Sequence, residues 1–401
     1  MVTPTSTLSE PPCPAPAGTE SAQSQSARVA PVALHAERRD VRDIPTADWD
    51  RLGQLTPWAT PFSGWAFQRA WWDAYGDNAH DETLVVCADD PAGAEPIAIV
   101  PLMHRHEVEP GDALTHTTMR HEPGADLTPV EPTATGVFFG ASYHADYATI
   151  LGAPSDFAAV AAALVDHVAD TRGRRPWDVI DLRRLRCGDP AAEALAAAFG
   201  AREIAEGWTL NVEREDVCPV VHLAEDLSME DYLGTLGKKE RHEIRRKVRR
   251  AEAVGDVRLD ESADPVSDLD AFVELHQKRW GADGLFPDTP GGAQSRVFVR
   301  RLFELAGPDG PRLTFLTVGG LRIAAGVHFE TDDGYLYYNA GVDPDARELS
   351  PGVLMIYAYM AQALAAGKRR VDFMRGNEPY KYEWGAEDEP IQRILVRRRN
   401  G

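Results

Sequence analysis

Hydrophobic spacing changes character several times along this chain. Residues 1–40 are rich in Pro, Ser, Thr and Ala, with too few large apolar side chains to offset the entropy of ordering, so they are expected to form a disordered tail. Between residues 48 and 75 the apolar positions fall mostly at helical intervals and include Trp49, Trp58, Trp65, Trp71 and Trp72, an aromatic stripe that reads as core. Residues 84–106 and 313–338 instead carry short β-branched and aromatic runs around Gly-, Asp- or Pro-bearing turns, which predicts two β-hairpins. The uncharged stretch 349–367 contains Ser350, Pro351, Gly352, Tyr357, Tyr359 and Gln362, and predicts a buried helix rather than a membrane span.

The order of these patterns repeats. After each hairpin comes a helix ending at a glycine, then basic residues, then a strand that carries an aspartate: Gly173-Arg174-Arg175 before Val179-Ile180-Asp181-Leu182-Arg183, and Gly367-Lys368-Arg369-Arg370 before Val371-Asp372-Phe373-Met374-Arg375. The chain therefore reads as two copies of one α/β unit, residues 41–215 and 216–401, divided at a charged turn near residues 213–219 that precedes the strand Val220-Val221-His222-Leu223.

Composition narrows the class. At 401 residues, 43 % hydrophobic and 26 % charged, the chain has ample material for a buried core. Its formal charge of −21 repels polyanions at long range, so any anionic partner must be met by a local basic patch. Cys13, Cys87, Cys187 and Cys218 lie far apart with no C-x-x-C pair, which argues against a disulfide framework and a zinc knuckle. Residues 1–28 offer no apolar run of the kind a secretory signal needs, and a cytoplasmic location is expected. His104, His106, His116, His121, His144 and Asp126 lack helical i, i+4 spacing or a cysteine pair, and no metal site is expected from them.

Three segments concentrate chemistry. Residues 238–250, KKERHEIRRKVRR, carry eight basic and two acidic side chains, with Leu233, Leu236, Ile244, Val248 and Ala251 at helical spacings. Such a helix either pairs its arginines with the protein's own carboxylates or clamps phosphate or carboxylate groups, which the planar guanidinium grips bidentately. Next, Tyr335-Leu336-Tyr337-Tyr338-Asn339-Ala340-Gly341 is followed by Ser350-Pro351-Gly352-Val353, where Ser at the N-cap, Pro at N1 and Gly at N2 predict a helix start with open backbone N–H groups suited to anions. Last, residues 372–385 run from a strand end into a loop dense with titratable and aromatic groups. With six lysines against 36 arginines in the chain, Lys381 is a distinctive choice there: an ammonium can steady an oxyanion while a nearby tyrosine moves a proton.

The run 233–251, Leu275-His276-Gln277-Lys278-Arg279-Trp280, the strand ending Tyr338-Asn339-Ala340-Gly341, the Ser350-Pro351-Gly352 start and the string Val371-Asp372-Phe373…Arg375-Gly376…Tyr380-Lys381…Trp384-Gly385 together resemble GNAT-superfamily acyltransferases of the CelD-like, cellulose-biosynthesis type, relatives of the Fem peptidoglycan aminoacyltransferases. The resemblance implies a mixed α/β fold of tandem GNAT-like domains, each a mostly antiparallel sheet flanked by helices, with the transfer site in the second. It implies an acyltransferase, an N-acetyltransferase in the first instance, acting on an amine or hydroxyl of a small-molecule, sugar-linked or cell-envelope acceptor. By motif position Tyr338, Asn339 and Ala340 would meet the donor's carbonyl, and Ser350, Gly352 and Val353 its phosphates. Lys381 and Tyr380 would handle the oxyanion and proton, with Asp372 orienting the loop. Arg245, Arg249, Arg279, Trp280 and Arg375 are the expected acceptor contacts.

The implied cofactor is acetyl-CoA or another acyl-CoA, without a metal. Where the superfamily's fingerprint R/Q-x-x-G-x-G/A belongs, this chain reads Arg347-Glu348-Leu349-Ser350-Pro351-Gly352, one glycine and a proline that lacks an N–H. That departure keeps two alternatives open: a Fem-like transferase using aminoacyl-tRNA, and a non-catalytic GNAT-like binding module in polysaccharide assembly.

Overall fold

A computed structural model of the chain describes residues 34–88, 95–105, 127–131, 133–142, 144–170, 172, 175–307 and 310–398. Most of the expected tail, with His106, His116, His121 and Asp126, lies outside these residues. The last part of that segment is no tail, because Leu34–Arg38 forms strand β1. There follow α1 (Thr46–Leu55), α2 (Trp65–Tyr75), β2 (His80–Asp81), β3 (Leu84–Ala88), β4 (Pro96–Val100), β5 (Leu102–Arg105), β6 (Gly136–Phe139), β7 (Leu151–Gly152), α3 (Phe157–Ala169), β8 (Val179–Arg186), α4 (Pro190–Glu206) and the long β9 (Trp208–His222). The chain continues through α5 (Met229–Thr235), α6 (Lys238–Glu252), β10 (Val257–Glu261), α7 (Leu269–Trp280), α8 (Pro290–Ala306), β11 (Arg312–Val318), β12 (Leu321–Glu330), β13 (Gly334–Val342), α9 (Pro351–Ala365), β14 (Arg370–Asp372), α10 (Pro379–Tyr382) and β15 (Glu387–Arg398).

The fold is mixed α/β. Among the described residues one sheet has the order β1-β3-β4-β7 and the other β10-β11-β12-β13-β14-β9-β15-β8-β6-β5-β2. Both expected hairpins are present as antiparallel pairs, β3 with β4 and β11 with β12, the second turning through Gly319 and Gly320 at φ 57° and 83°, a region glycine enters without strain. The first is shorter than its sequence pattern because Pro101, which has no N–H for a ladder, ends β4 and sends β5 into the other sheet. Antiparallel pairing prevails throughout the large sheet except at β13 with β14 and β6 with β8, and each parallel pair is joined by a helix, α9 or α3.

The two closing strands cross over. β9 follows the β6-α3-β8 unit yet pairs with β14, while β15 follows the β13-α9-β14 unit yet pairs with β8; between them β9 and β15 run antiparallel over most of their lengths. The residues around 213–219, where the sequence shows a charged turn, consequently lie inside a continuous strand. Its charges are used there. Arg393 on β15 grips Asp181 on β8 bidentately, Nε to Oδ1 at 2.7 Å and Nη2 to Oδ2 at 2.8 Å, and reaches Glu213 on β9 through Nη1 at 3.2 Å. Burial pushes the Asp181 carboxyl up, but Arg183 and Arg393 outweigh it and hold the group below the ordinary carboxylate range.

Aromatic packing also joins the halves. Trp49, Trp71 and Trp72 are buried as core, and Phe62 and Phe67 meet Phe329 and Phe298 at ring distances of 5.5 and 5.2 Å. Cys87 and Cys218 are free and buried, but Cys187 is disulfide-bonded, which its isolation along the sequence gives no reason to expect. Among the described residues no group of three or more His, Cys, Asp or Glu is placed to hold a metal ion, and none of the helices is long and apolar enough to cross a membrane.

Replacing Arg393 by Met leaves the buried Asp181 with Arg183 as its remaining guanidinium partner and is expected to cost about 1.5–3 kcal/mol of stability, read by denaturant melts. An unchanged midpoint would show that the crossed strands do not depend on this pair. A second expectation concerns His328 on β12, whose ring accepts or donates at Nδ1 to the Tyr359 hydroxyl of α9 at 2.9 Å. Burial depresses its pKa from 6.5 to about 4. The unfolded chain therefore takes up a proton below pH 6.5 that the folded chain declines, and this group's contribution falls between pH 6.5 and about 4. Stability at pH 5 should be lower than at pH 7 by about 2 kcal/mol on this account, and His328→Gln should remove that part of the loss.

Candidate functional site

The parallel ladder of β13 with β14 is three residues long, Gly334 opposite Arg370, Tyr335 opposite Val371 and Leu336 opposite Asp372. Beyond it β13 continues on β12 alone, with a bulge at Tyr338, and the chain after Asp372 turns away. The expected strand through Arg375 thus stops at Asp372, because Met374 takes a left-handed conformation at φ 59°. Parting strands leave a cavity of about 300 Å³ between β13, the start of α9 and the segment 373–384.

Two polar anchors hold the turn. Asp372, fully buried, accepts from the Met374 N–H through Oδ1 at 2.8 Å and from the Tyr147 hydroxyl through Oδ2 at 2.8 Å, with Arg370 Nη2 at 3.2 Å. Burial pushes its carboxyl above the ordinary range despite Arg370, Tyr147 and the Met374 N–H. Lys381 comes from the other side. Its Nζ donates to the carbonyls of Met374, Arg375 and Gly376 at 2.9, 3.0 and 2.9 Å and lies 2.9 Å from Glu378 Oε2. Lys381 is only 2 % exposed, so the ammonium stitches the loop together rather than standing open to the cavity.

At the other end of the cavity, Gly341 lets the backbone of α7 approach β13 closely, since a Cβ there would run into His276 N. That contact delivers Trp280, whose indole N–H donates to the Ala340 carbonyl at 3.2 Å, and Arg279, whose guanidinium sits 4.5 Å over the Trp280 ring. A side-chain carbon built on Gly352 would lie 3.9 Å from Arg279 Nη1, which places the guanidinium beside the first turn of α9. Among the described residues no carboxylate pairs with Arg279. Ser350 begins α9 differently from a side-chain cap: it is left-handed at φ 57°, its carbonyl accepts from the Val353 and Leu354 N–H groups, and its Oγ meets Arg250 Nη2 at 2.8 Å.

Of the residues singled out from the sequence, Tyr338, Asn339, Ala340, Gly352, Val353, Arg279, Trp280, Arg375, Tyr380 and Lys381 line this one cavity. Others do not. Asp372 lies beneath it, Ser350 beside it, and Arg245 and Arg249 on a different side of α6, because that helix packs through Ile244, Val248 and Ala251 and turns the next residue along away from the core. Arg245 is paired with Glu230, while Arg249 is exposed. Arg375, expected to face an acceptor, has its Nε 3.2 Å from Asp146 Oδ1. Sequence reasoning passed over Asp146, Tyr337, Glu378, Glu383 and Trp384 as site residues, and all five line the cavity. For Asp146, some 230 residues from the loop it meets, no local signal exists; the alternation within Tyr335-Leu336-Tyr337-Tyr338 does distinguish Tyr337 from its neighbours.

Residues 238–382 match the family model described as an acetyltransferase (GNAT) domain. No curated protein matches the chain. Among solved structures, the crystal structure of FemX aligns with a TM-score of 0.55 at 11 % identity, covering 87 % of this chain and 96 % of that one. A conserved protein of unknown function from Bacteroides thetaiotaomicron VPI-5482 aligns with a TM-score of 0.51 at 13 % identity, covering 89 % and 98 %. At these identities the likeness is one of fold. The chain therefore carries a GNAT-type acetyltransferase domain across residues 238–382, within a fold similar to that of FemX.

Proposed function

We propose that this protein moves an acyl group from a phosphate-bearing thioester, acetyl-CoA or another acyl-CoA, to an amine or hydroxyl of a small-molecule or sugar-linked acceptor. The observation that carries the reading is the meeting, in one cavity, of an uncommitted guanidinium at a helix start with the free edge of a strand that has parted from its neighbour. A helix N-terminus carries roughly half a positive charge, and Arg279 adds a whole one, so this end suits phosphate or pyrophosphate. The same cavity also holds Tyr380 and the exposed carboxylate of Glu383, groups of the kind that relieve an attacking amine of its proton. Between them the acyl carbon of the donor lies against β13. Direct attack then needs alignment of the two substrates more than any covalent intermediate on the protein.

On this reading Lys381 and Asp372 are positioning residues. They fix the 374–376 turn from either side, and the cavity wall follows. A second donor is favoured by one feature. Lys238, Lys239, Lys247 and Arg249 on α6 have no ion-pair partner among the described residues, and α6 reaches the start of α9 through Arg250 and Ser350, a surface suited to aminoacyl-tRNA. Transfer from such a donor would fall by orders of magnitude between 50 and 200 mM salt, roughly tenfold or more for every two phosphates neutralised, whereas a coenzyme A enzyme should respond mildly.

Acetyl-CoA at saturating concentration should raise the melting temperature by about 2–5 °C through mass action, and Arg279→Ala should weaken its binding by about tenfold or more while leaving the unliganded melting temperature unchanged. No shift at millimolar acetyl-CoA would remove this donor. Lys381→Met should lower stability by about 3–5 kcal/mol, because four oxygens lose their shared cation. A Lys381→Met protein that melts normally yet turns over nothing would instead put the ammonium in the chemistry.

A further inference from the structure

Tyrosines crowd this part of the molecule, and their hydroxyls are mostly committed. Tyr147 donates to Asp372, Tyr232 to the Trp384 carbonyl at 2.6 Å, and Tyr338 to the His144 carbonyl at 3.0 Å, while Tyr359 meets Thr314 and His328. Tyr337 differs. Its ring is fixed edge-on against Tyr359 at 5.0 Å and Phe373 at 6.2 Å, it lines the cavity, and among the described residues nothing hydrogen-bonds its hydroxyl. A half-buried phenol held rigidly by two rings, with its oxygen unmatched by protein, forgoes stabilisation unless something else fills the valence.

Its place in the chain indicates what that is. Tyr337 is the first residue of β13 past the last rung shared with β14. It shares the cavity wall with Arg279, which lies beside the first turn of α9, and with Tyr380, whose ring packs on the same Phe373 at 6.2 Å. A thioester that reaches from Arg279 towards Tyr380 carries its carbonyl along this wall. Burial, helped by the phenols of Tyr359 and Tyr380 and opposed by Arg279, pushes the Tyr337 hydroxyl well above its ordinary pKa, which keeps it a neutral donor at working pH. The side-chain amide of Asn339 lines the same stretch, also without a protein partner among the described residues.

We propose that the Tyr337 hydroxyl donates a hydrogen bond to the acyl carbonyl oxygen of the donor and strengthens it as that oxygen gains negative charge on attack. The proposal rests on the thioester reading of the cavity. The phenol keeps its hydrogen throughout: the acceptor's nitrogen or oxygen bonds to the acyl carbon and loses its proton to the Tyr380 and Glu383 side of the cavity, the carbon–sulfur bond breaks, and the thiolate leaves with the electron pair.

Two coenzyme A analogues isolate the carbonyl: acetonyl-CoA, a ketone that retains it, and S-ethyl-CoA, which lacks it. The full-length protein should bind acetonyl-CoA about five- to tenfold more tightly than S-ethyl-CoA by calorimetry, and Tyr337→Phe should lose that preference while keeping its affinity for S-ethyl-CoA and its melting temperature. If Tyr337→Phe retains the preference, Tyr337 is not the carbonyl's partner and the donor reading stands. If the variant melts several degrees lower, the hydroxyl serves the fold and the proposal fails. If neither analogue binds the unaltered protein, the donor reading fails and this proposal with it.

Discussion

The site depends on a ladder that stops early. Parallel strands joined by a helix ordinarily stay paired for their length, since every unpaired N–H and C=O must find another partner. Here β13 and β14 share three rungs and separate. The separation survives because the side that leaves is held elsewhere: the Met374 N–H by Asp372, and the next three carbonyls by the Lys381 ammonium. Met374 is non-glycine at φ 59°, a conformation that costs about 1–3 kcal/mol and persists only where its surroundings over-determine it. Two charged groups on opposite sides of one residue do that. What remains on β13 is a free edge bordered by Tyr337 and Asn339, and the rest of the cavity is arranged around it.

A parted ladder weakens a sheet at its middle, and the crossed closing strands offset this. β9 covers the far edge of β14, and β15 ties β9 to β8, so the unit that contains the cavity cannot come apart without breaking pairs in both halves. The first half also reaches into the site directly. Tyr147 holds Asp372, Asp146 holds Arg375, and the His144 carbonyl takes the Tyr338 hydroxyl, all from one short loop. The loop of residues 144–147 therefore acts as a brace for the turn after Asp372 and for Tyr338.

How much of this was legible in the sequence follows from the range of each interaction. Period and turn chemistry are local, so the hairpins, α6 and α9 stand out; the aromatic run of β13 and the loop after Asp372 line one cavity, whereas the basic run of α6 does not. The stretch 213–219 reads as a turn because charges such as Glu213, Glu215 and Asp216 suggest solvent. Their partners, Arg393 and Arg184, are remote in sequence, and burial of a paired charge cannot be told from exposure of a free one without knowing the pair. The same blindness affected Lys381. Its rarity singles it out, but whether an ammonium faces a substrate or three carbonyls is decided by a turn that only Met374's conformation reveals.

Charge gives the last constraint. In a chain of net charge −21 most arginines are spent on carboxylates: Arg245 on Glu230, Arg246 on Glu243, Arg370 on Asp372 and Glu389, and Arg375 on Asp146. Excess acid makes partners plentiful, so an arginine that stays unpaired at the wall of a cavity is the exception. Arg279 is kept so by geometry. Gly341 draws α7 against β13, the Trp280 ring carries the guanidinium at 4.5 Å, and the first turn of α9 lies close by at Gly352. The positive end of a helix and a guanidinium repel one another; the Trp280 ring offsets part of this, and an anion between them would offset the rest. The fold accepts that repulsion beside the stretch of β13 that has parted from β14, so unbalanced positive charge and an open strand edge meet in one cavity.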